Sequence, residues 1–326
     1  MSGPASRLTL LTRITAPATD RVTLVGFQLG WQIVRHLPEP AAYRLFETLA
    51  DVLVRRDGKG VRRLRSNYAR VRPELDRQGL QELVRDGMRS YMRYYCEAFR
   101  LPDFSRARLA SLVTIHDEAP ARQALADGRS VVVFLGHFGN WDLAGAWSTL
   151  YLAPVTTVAE RLEPEQLFQE FVGFRESLGM TILPLTGGPD PFAALRRAAE
   201  GGALVALLAD RDLTRGGVEV DFFGRRARMA KGPAVLSMLT GAPLFAAAIH
   251  YEPAPDGAGV GGRRLVVRFS PQVERPAGMP SADAAVAMVQ QCAGFLEGHI
   301  REHTEDWHML QRVFVEDLDP ARTAPA

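Results

Sequence analysis

Cysteine is scarce: 326 residues hold two, Cys96 and Cys292, far apart in the chain. They form neither a CxxC pair nor a disulfide framework, which fits a reducing compartment. Long apolar runs are missing too. The stretch 22–34 (VTLVGFQLGWQIV) is broken by Gln28 and Gln32 and followed by Arg35. It is too short to cross a bilayer, which takes about 20 apolar residues. It fits equally an interfacial helix with Phe27, Trp31 and Ile33 in the headgroup region, or a buried core helix. No Sec-type or twin-arginine signal opens the chain. There is no GxSxG nucleophile elbow and no GxxxxGK[ST] phosphate loop, so those two routes to catalysis are excluded. Gly257, Gly259 and Gly262 spell GxGxxG, but after a Pro-containing turn and before a strand. A dinucleotide site needs the reverse order, so this reads as a hairpin loop. No internal repeat is visible.

What is present suits a globular enzyme. The hydrophobic fraction is 47% and the charged fraction 23%, enough for a real core. The net charge of +2 is unevenly spread: residues 1–100 hold 18 Lys/Arg against 10 Asp/Glu, and the remainder is acidic. Arg55, Arg56, Lys59, Arg62, Arg63 and Arg65 cluster. Such asymmetry points to an anionic partner or to a solvated helical face. Arg and aromatic residues interleave in 89–99 (RSYMRYYCEAF), a mix that also suits RNA, but no RNP, KH or helix-turn-helix signature supports nucleic acid.

Residues 40–100 read as helices, with Leu45, Leu49, Val52 and Leu53 at helical spacing. From residue 129 the pattern changes. Strands are predicted over 130–135, 155–159, 181–185, 204–208, 244–251 and 264–269. Helices are predicted over 164–178, 191–200, 232–240 and 282–302. The alternation predicts an α/β protein with a mainly parallel sheet. Residues 1–20 read as a leader and the Pro/Ala-rich end after Asp319 as disordered.

Three strand ends carry chemistry. The first is GHFGNWD, with His137 two residues past a strand and Asp142 five on. Of seven histidines, His137 is the one with an acidic residue at that spacing. Ligands of open α/β sheets bind beyond the carboxyl ends of strands. On a straight helix, residues five apart lie roughly 140° apart around the axis, so the pair can meet only through a bend, which Gly139 permits. The expectation is His137 as general base with Asp142 beside it, fixing its tautomer. The second strand end carries Glu160 and Arg161, with Arg175 further on; Arg offers a fixed fork of donors to phosphate. The third carries Asp210, Arg211 and Asp212. His299, His303 and His308 lack the spacing and cysteine support of a metal site, so no metal is expected.

Several segments in order then resemble one family. They are GHFGNWD (136–142), TTVAERLEPEQLF (156–168), FRESLGMTILPLTGG (174–188), ADRDLTRGGVEVDFFG (209–224), KGPAVLSMLTGAP (231–243) and DWHMLQ (306–311), with GWQIVRHLPEP (30–40) and SYMRYYCEAFRLP (90–102) upstream. Together they resemble the lipid A biosynthesis acyltransferase superfamily, nearest its phosphatidylinositol mannoside acyltransferase branch, across about residues 20–316. The resemblance implies one domain with a central mixed, mostly parallel sheet flanked by helices, a helical N-terminal region and an acyl-chain tunnel. Its implied bounds are a leader at 1–20, a membrane-facing helical part at 21–105, an α/β catalytic core at 106–316, and a tail at 317–326. It implies acyl-CoA as co-substrate with no other cofactor, a phosphatidylinositol mannoside acceptor, and a peripheral place at the cytoplasmic face of the bacterial plasma membrane. It carries over His137 as base, Asp142 as partner and Asp210 as a further acidic residue where the family commonly has Glu. Glu160, Arg161, Arg175, Arg211 and Asp212 become substrate-binding candidates. Phe138 stands where a small residue is expected. Three other readings remain open: a thioesterase or lipid hydrolase on the same fold, an acyltransferase acting on another glycolipid acceptor, and a non-catalytic lipid-binding protein.

Overall fold

The computed structural model describes residues 30–161, 165–187, 190–214, 216–254 and 261–318. The leader, most of the 22–34 stretch, Gly257, Gly259 and the tail beyond 318 lie outside the described residues. Residues 30–36 are helical. They lead into α1 (Glu39–Arg56), α2 (Lys59–Val71) and α3 (Arg77–Arg100). Helix α1 buries Ala42, Phe46 and Ala50, one face at i, i+4, i+8, and packs along α3. Asp51 of α1 is gripped by the forks of Arg85 and Arg89 of α3, at 2.9–3.0 Å. These two guanidiniums hold its carboxyl well below the usual range.

The basic cluster is partly spent inside the molecule. Arg62 and Arg65 pair with Asp57, and Arg63 binds Asp317 at 2.9 Å. Arg70 holds Glu316 and Asp317, which ties residues 316–317 to α2.

The rest alternates: α4 (Arg106–Leu112), β1 (Val113–His116), α5 (Ala119–Ala126), β2 (Val131–Leu135), α6 (Trp141–Tyr151), β3 (Val155–Ala159), α7 (Glu165–Ser177), β4 (Thr181–Pro184), α8 (Pro191–Ala199) and β5 (Leu204–Leu208). Then come the hairpin β6 (Val218–Phe222) and β7 (Arg225–Met229), α9 (Gly232–Thr240), β8 (Leu244–Pro253), β9 (Arg263–Phe269) and α10 (Ser281–Glu302). Seven strands form one sheet in the order β1-β9-β8-β2-β5-β3-β4. Every pair is parallel except β8 with β9. The architecture is therefore α/β around a mixed, mostly parallel sheet. All five residues of β2 are buried, as a central parallel strand requires.

The strand and helix patterns predicted from the sequence agree with these elements to within a residue or two. Strand β1 and the β6–β7 hairpin were not foreseen. Strand β1 is a four-residue edge strand, and β6 alternates apolar with acidic residues before an Arg-rich β7. The hairpin turn is made by Phe223 and Gly224, both at positive φ (53° and 69°), the geometry of a two-residue hairpin loop.

Candidate active site

Strands β2 and β5 are hydrogen-bonded neighbours, with Leu135 opposite Leu208. Two residues past each lie His137 and Asp210, so the register alone sets them side by side. Asp210 is fully buried, and its Oδ1 lies 2.6 Å from Nδ1 of His137. Its Oδ2 accepts the backbone N–H of His137 at 2.9 Å and the indole N–H of Trp307 at 3.1 Å. Burial pushes the Asp210 carboxyl up, but the charge of His137 and these donors outweigh it, so it stays below the usual value. An ionised carboxylate only accepts, so Nδ1 of His137 donates and Nε2 is the ring nitrogen left to take a proton.

This corrects the expected pairing. His137 is partnered by Asp210, whereas Asp142 faces elsewhere. Asp142 sits in the first turn of α6, where a carboxylate suits the helix dipole. It is bound by Arg175 through Nε at 2.7 Å and Nη2 at 3.1 Å, and by the Tyr94 hydroxyl at 2.6 Å. Burial pulls the Arg175 guanidinium down, but Asp142 and Tyr94 outweigh it and raise it above its usual value. The bend at Gly139 is real: φ is +63°, and a Cβ there would sit 2.3 Å from the Ile249 carbonyl oxygen. The bend starts a new helix and so turns Asp142 away. Phe138, the unexpected large residue, is fully buried and stacks on His250.

Two supports of this loop went unnoticed in the sequence. Buried Glu97 accepts from the side-chain N–H of Asn140 at 2.8 Å, while Asn140 caps α6 through Leu143 N–H at 2.9 Å. The segment 306–308 runs beside the loop: Gly139 N–H donates to the Asp306 carbonyl and His308 N–H to the His137 carbonyl. Asp306 is fully buried, accepting from Ser90 and from Tyr251 N–H, and burial pushes its carboxyl up to about 7. Between about pH 4 and 7 the folded chain therefore holds a proton that the unfolded chain releases. By linkage, this group's stabilisation is lost as pH rises through that window. Denaturation of Asp306→Asn against wild type across pH 5 to 8 is expected to show stability declining with pH in wild type relative to the variant; a constant gap would refute it.

His137 opens onto a cavity of about 380 Å³. Its wall includes Asp142, Arg175, Glu160, Arg211 and His308, with Tyr91, Tyr94, Tyr95 and Trp141 beside them. Beneath, one face of the sheet lines it with apolar residues. Glu160 is exposed and meets Arg211 at 3.5 Å. Arg161 is turned to Glu165 and to the carbonyls of Thr186 and Gly187, and Asp212 accepts from Thr214 N–H; neither lines the cavity. The C-terminal histidines separate: His299 bonds the Phe295 carbonyl, His303 stacks on His250 at 3.9 Å, and His308 is buried at the cavity wall. Among the described residues, no three His, Cys, Asp or Glu side chains are grouped to hold a metal.

Residues 19–316 match the family described as bacterial lipid A biosynthesis acyltransferase. The chain belongs to this family. Within the lipid A acyltransferase family it is similar to the phosphatidylinositol mannoside acyltransferase of Mycolicibacterium smegmatis, 40% identical over 97% of this chain and 99% of that protein. It is equally similar to a protein of the same name from Mycobacterium tuberculosis, 40% identical over 95% of this chain and 93% of the relative.

Proposed function

We propose that this acyltransferase moves a palmitoyl-like group from acyl-CoA to a mannose hydroxyl of phosphatidylinositol mono- or dimannoside, the 6-hydroxyl of the mannose on inositol C2. The observation that carries the reading is His137, oriented by buried Asp210, beside a cavity that is polar near the histidine and apolar across the sheet. Nε2 takes the proton of the acceptor hydroxyl as its oxygen attacks the thioester carbonyl carbon. The tetrahedral intermediate collapses, the C–S bond breaks, and the CoA thiolate leaves with the proton from Nε2. Asp210 stabilises the imidazolium between these steps. The charged wall of Arg175, Arg211 and Glu160 suits an acceptor headgroup or the phosphates of CoA. No helix among the described residues is long and apolar enough to cross a membrane. In this reading the protein works peripherally, on the anionic cytoplasmic face of the plasma membrane, where the excess of Lys and Arg in residues 1–100 suits an anionic lipid surface.

The test is transfer from radiolabelled palmitoyl-CoA to purified phosphatidylinositol mannosides by wild type and His137→Ala. Labelled glycolipid from wild type, falling by about 10²–10⁴-fold in the variant, is expected. Free fatty acid without glycolipid would mark a hydrolase, and undiminished transfer by the variant would sink the catalytic assignment.

A further inference from the structure

We infer that Gly145 and Met180 set the length of acyl chain that the cavity accepts, an inference that rests on the acyl-transfer reading above. The sheet register maps the cavity floor. Nearest the catalytic edge, Leu208, Leu135, Ala247 and Phe269 lie abreast on four neighbouring strands. One rung deeper the floor is Val133, Ala206 and Thr157, on β2, β5 and β3. Deeper still it is Val155 beside Leu204, on β3 and β5. The floor therefore funnels away from His137 toward one corner of the sheet. Four residues separate Leu208 from Leu204, a descent of roughly 13 Å at about 3.3 Å per residue.

The roof over that corner is α6, which presents Ala144, Gly145 and Ser148 to the cavity. Met180, just before β4, closes the deep end against this roof. A Cβ on Gly145 would lie 2.7 Å from the Met180 sulfur and 3.7 Å from its Cε. The thioether is thus seated on bare helix backbone, and the missing side chain at 145 is what lets it lie there. Methionine fills irregular space and moves readily, so a change at either position alters the length of the void more than the fold. Glycine inside a helix is unfavourable relative to alanine, and so Gly145→Ala does not weaken α6 itself. The small residue here serves the shape of the cavity.

A methyl at 145 drives the Met180 side chain into the deep end and shortens the funnel. Removing the side chain at 180 lengthens it. A hydrophobic site tells chains apart by one methylene at about tenfold or more, so both shifts are large enough to read.

Displacement of cis-parinaric acid by fatty acids from lauric to arachidic, on the full chain, tests the ruler without requiring turnover. In wild type, affinity is expected to rise with chain length and then stop. With Gly145→Ala the limit moves to shorter acids, and the longest acid held by wild type binds at least about tenfold more weakly. With Met180→Ala the limit moves to longer acids, and the double variant stays close to Met180→Ala, because no side chain is left at 180 for the methyl to displace. One shared limit in all four proteins overturns the ruler, as does failure of wild type to bind any fatty acid. Shifted limits in a wild type that transfers no acyl group to phosphatidylinositol mannosides would keep the ruler and sink the assigned reaction.

Discussion

Asp210→Asn is expected to lower the turnover of the proposed acyl transfer on the order of 10³–10⁴-fold. The reason is geometric. The carboxylate accepts three donors at once: Nδ1–H and backbone N–H of His137, and the Trp307 indole. An amide presents one acceptor oxygen and two N–H groups, so one of its donors points at a donor or at the ring nitrogen. Facing Nδ1, it favours the tautomer with the proton on Nε2, where the acceptor hydroxyl needs a lone pair. The imidazolium formed during the reaction also loses its counter-charge in a fully buried position, where it matters most. Asp210→Glu keeps the charge but must fit an extra methylene against Gly136, whose own Cβ position lies 3.2 Å from the carboxylate. Partial activity is expected for Glu, and near-complete loss for Asn. Steady-state kinetics with palmitoyl-CoA decide it; an Asn variant within tenfold of wild type would remove Asp210 from the mechanism.

The second large effect is on stability. Asp142 is 2% exposed and the Arg175 side chain 18%, so Arg175 neutralises a carboxylate that water barely reaches. Removing one partner strands the other, at a cost of about 3–5 kcal/mol. Asp142→Ala and Arg175→Ala are therefore each expected to lower the denaturation midpoint sharply. The double variant is expected to be less destabilised than the two effects added together, since no charge is left alone. Urea denaturation followed by circular dichroism measures all four proteins. Singles within about 1 kcal/mol of wild type would mean that water or a mobile group screens the pair.

These two expectations divide what sequence reasoning treated as one pair. His137 and Asp210 were legible as chemistry because each stands just past an apolar run, and Asp142 because it follows His137 by five residues. Their pairing was not. Which carboxylate meets His137 depends on which strands are neighbours, and a chain of alternating elements leaves that order open. Once β2 is known to lie beside β5, the equal two-residue offsets of His137 and Asp210 make the partnership almost automatic. The strands themselves were readable because buried parallel strands are short, continuous apolar runs. The β6–β7 hairpin was passed over because it is no continuous apolar run: Val218, Val220 and Phe222 alternate with Glu219 and Asp221, the pattern of a strand buried on one face only. His308 was missed for another reason. It was weighed only as a metal ligand beside His299 and His303, whereas the chain turns inward at Asp306 and carries Trp307 and His308 into the interior.

His137 is held by Asp210, just past the end of β5, and by His308, in the segment that packs on α3. The amide of His137 is itself donated to a carboxylate with no exposure to water. That bond continues the pairing of β2 and β5 two residues beyond the ends of both strands. The loop that carries His137 is therefore tied to the buried end of β5 through its backbone as well as through its ring.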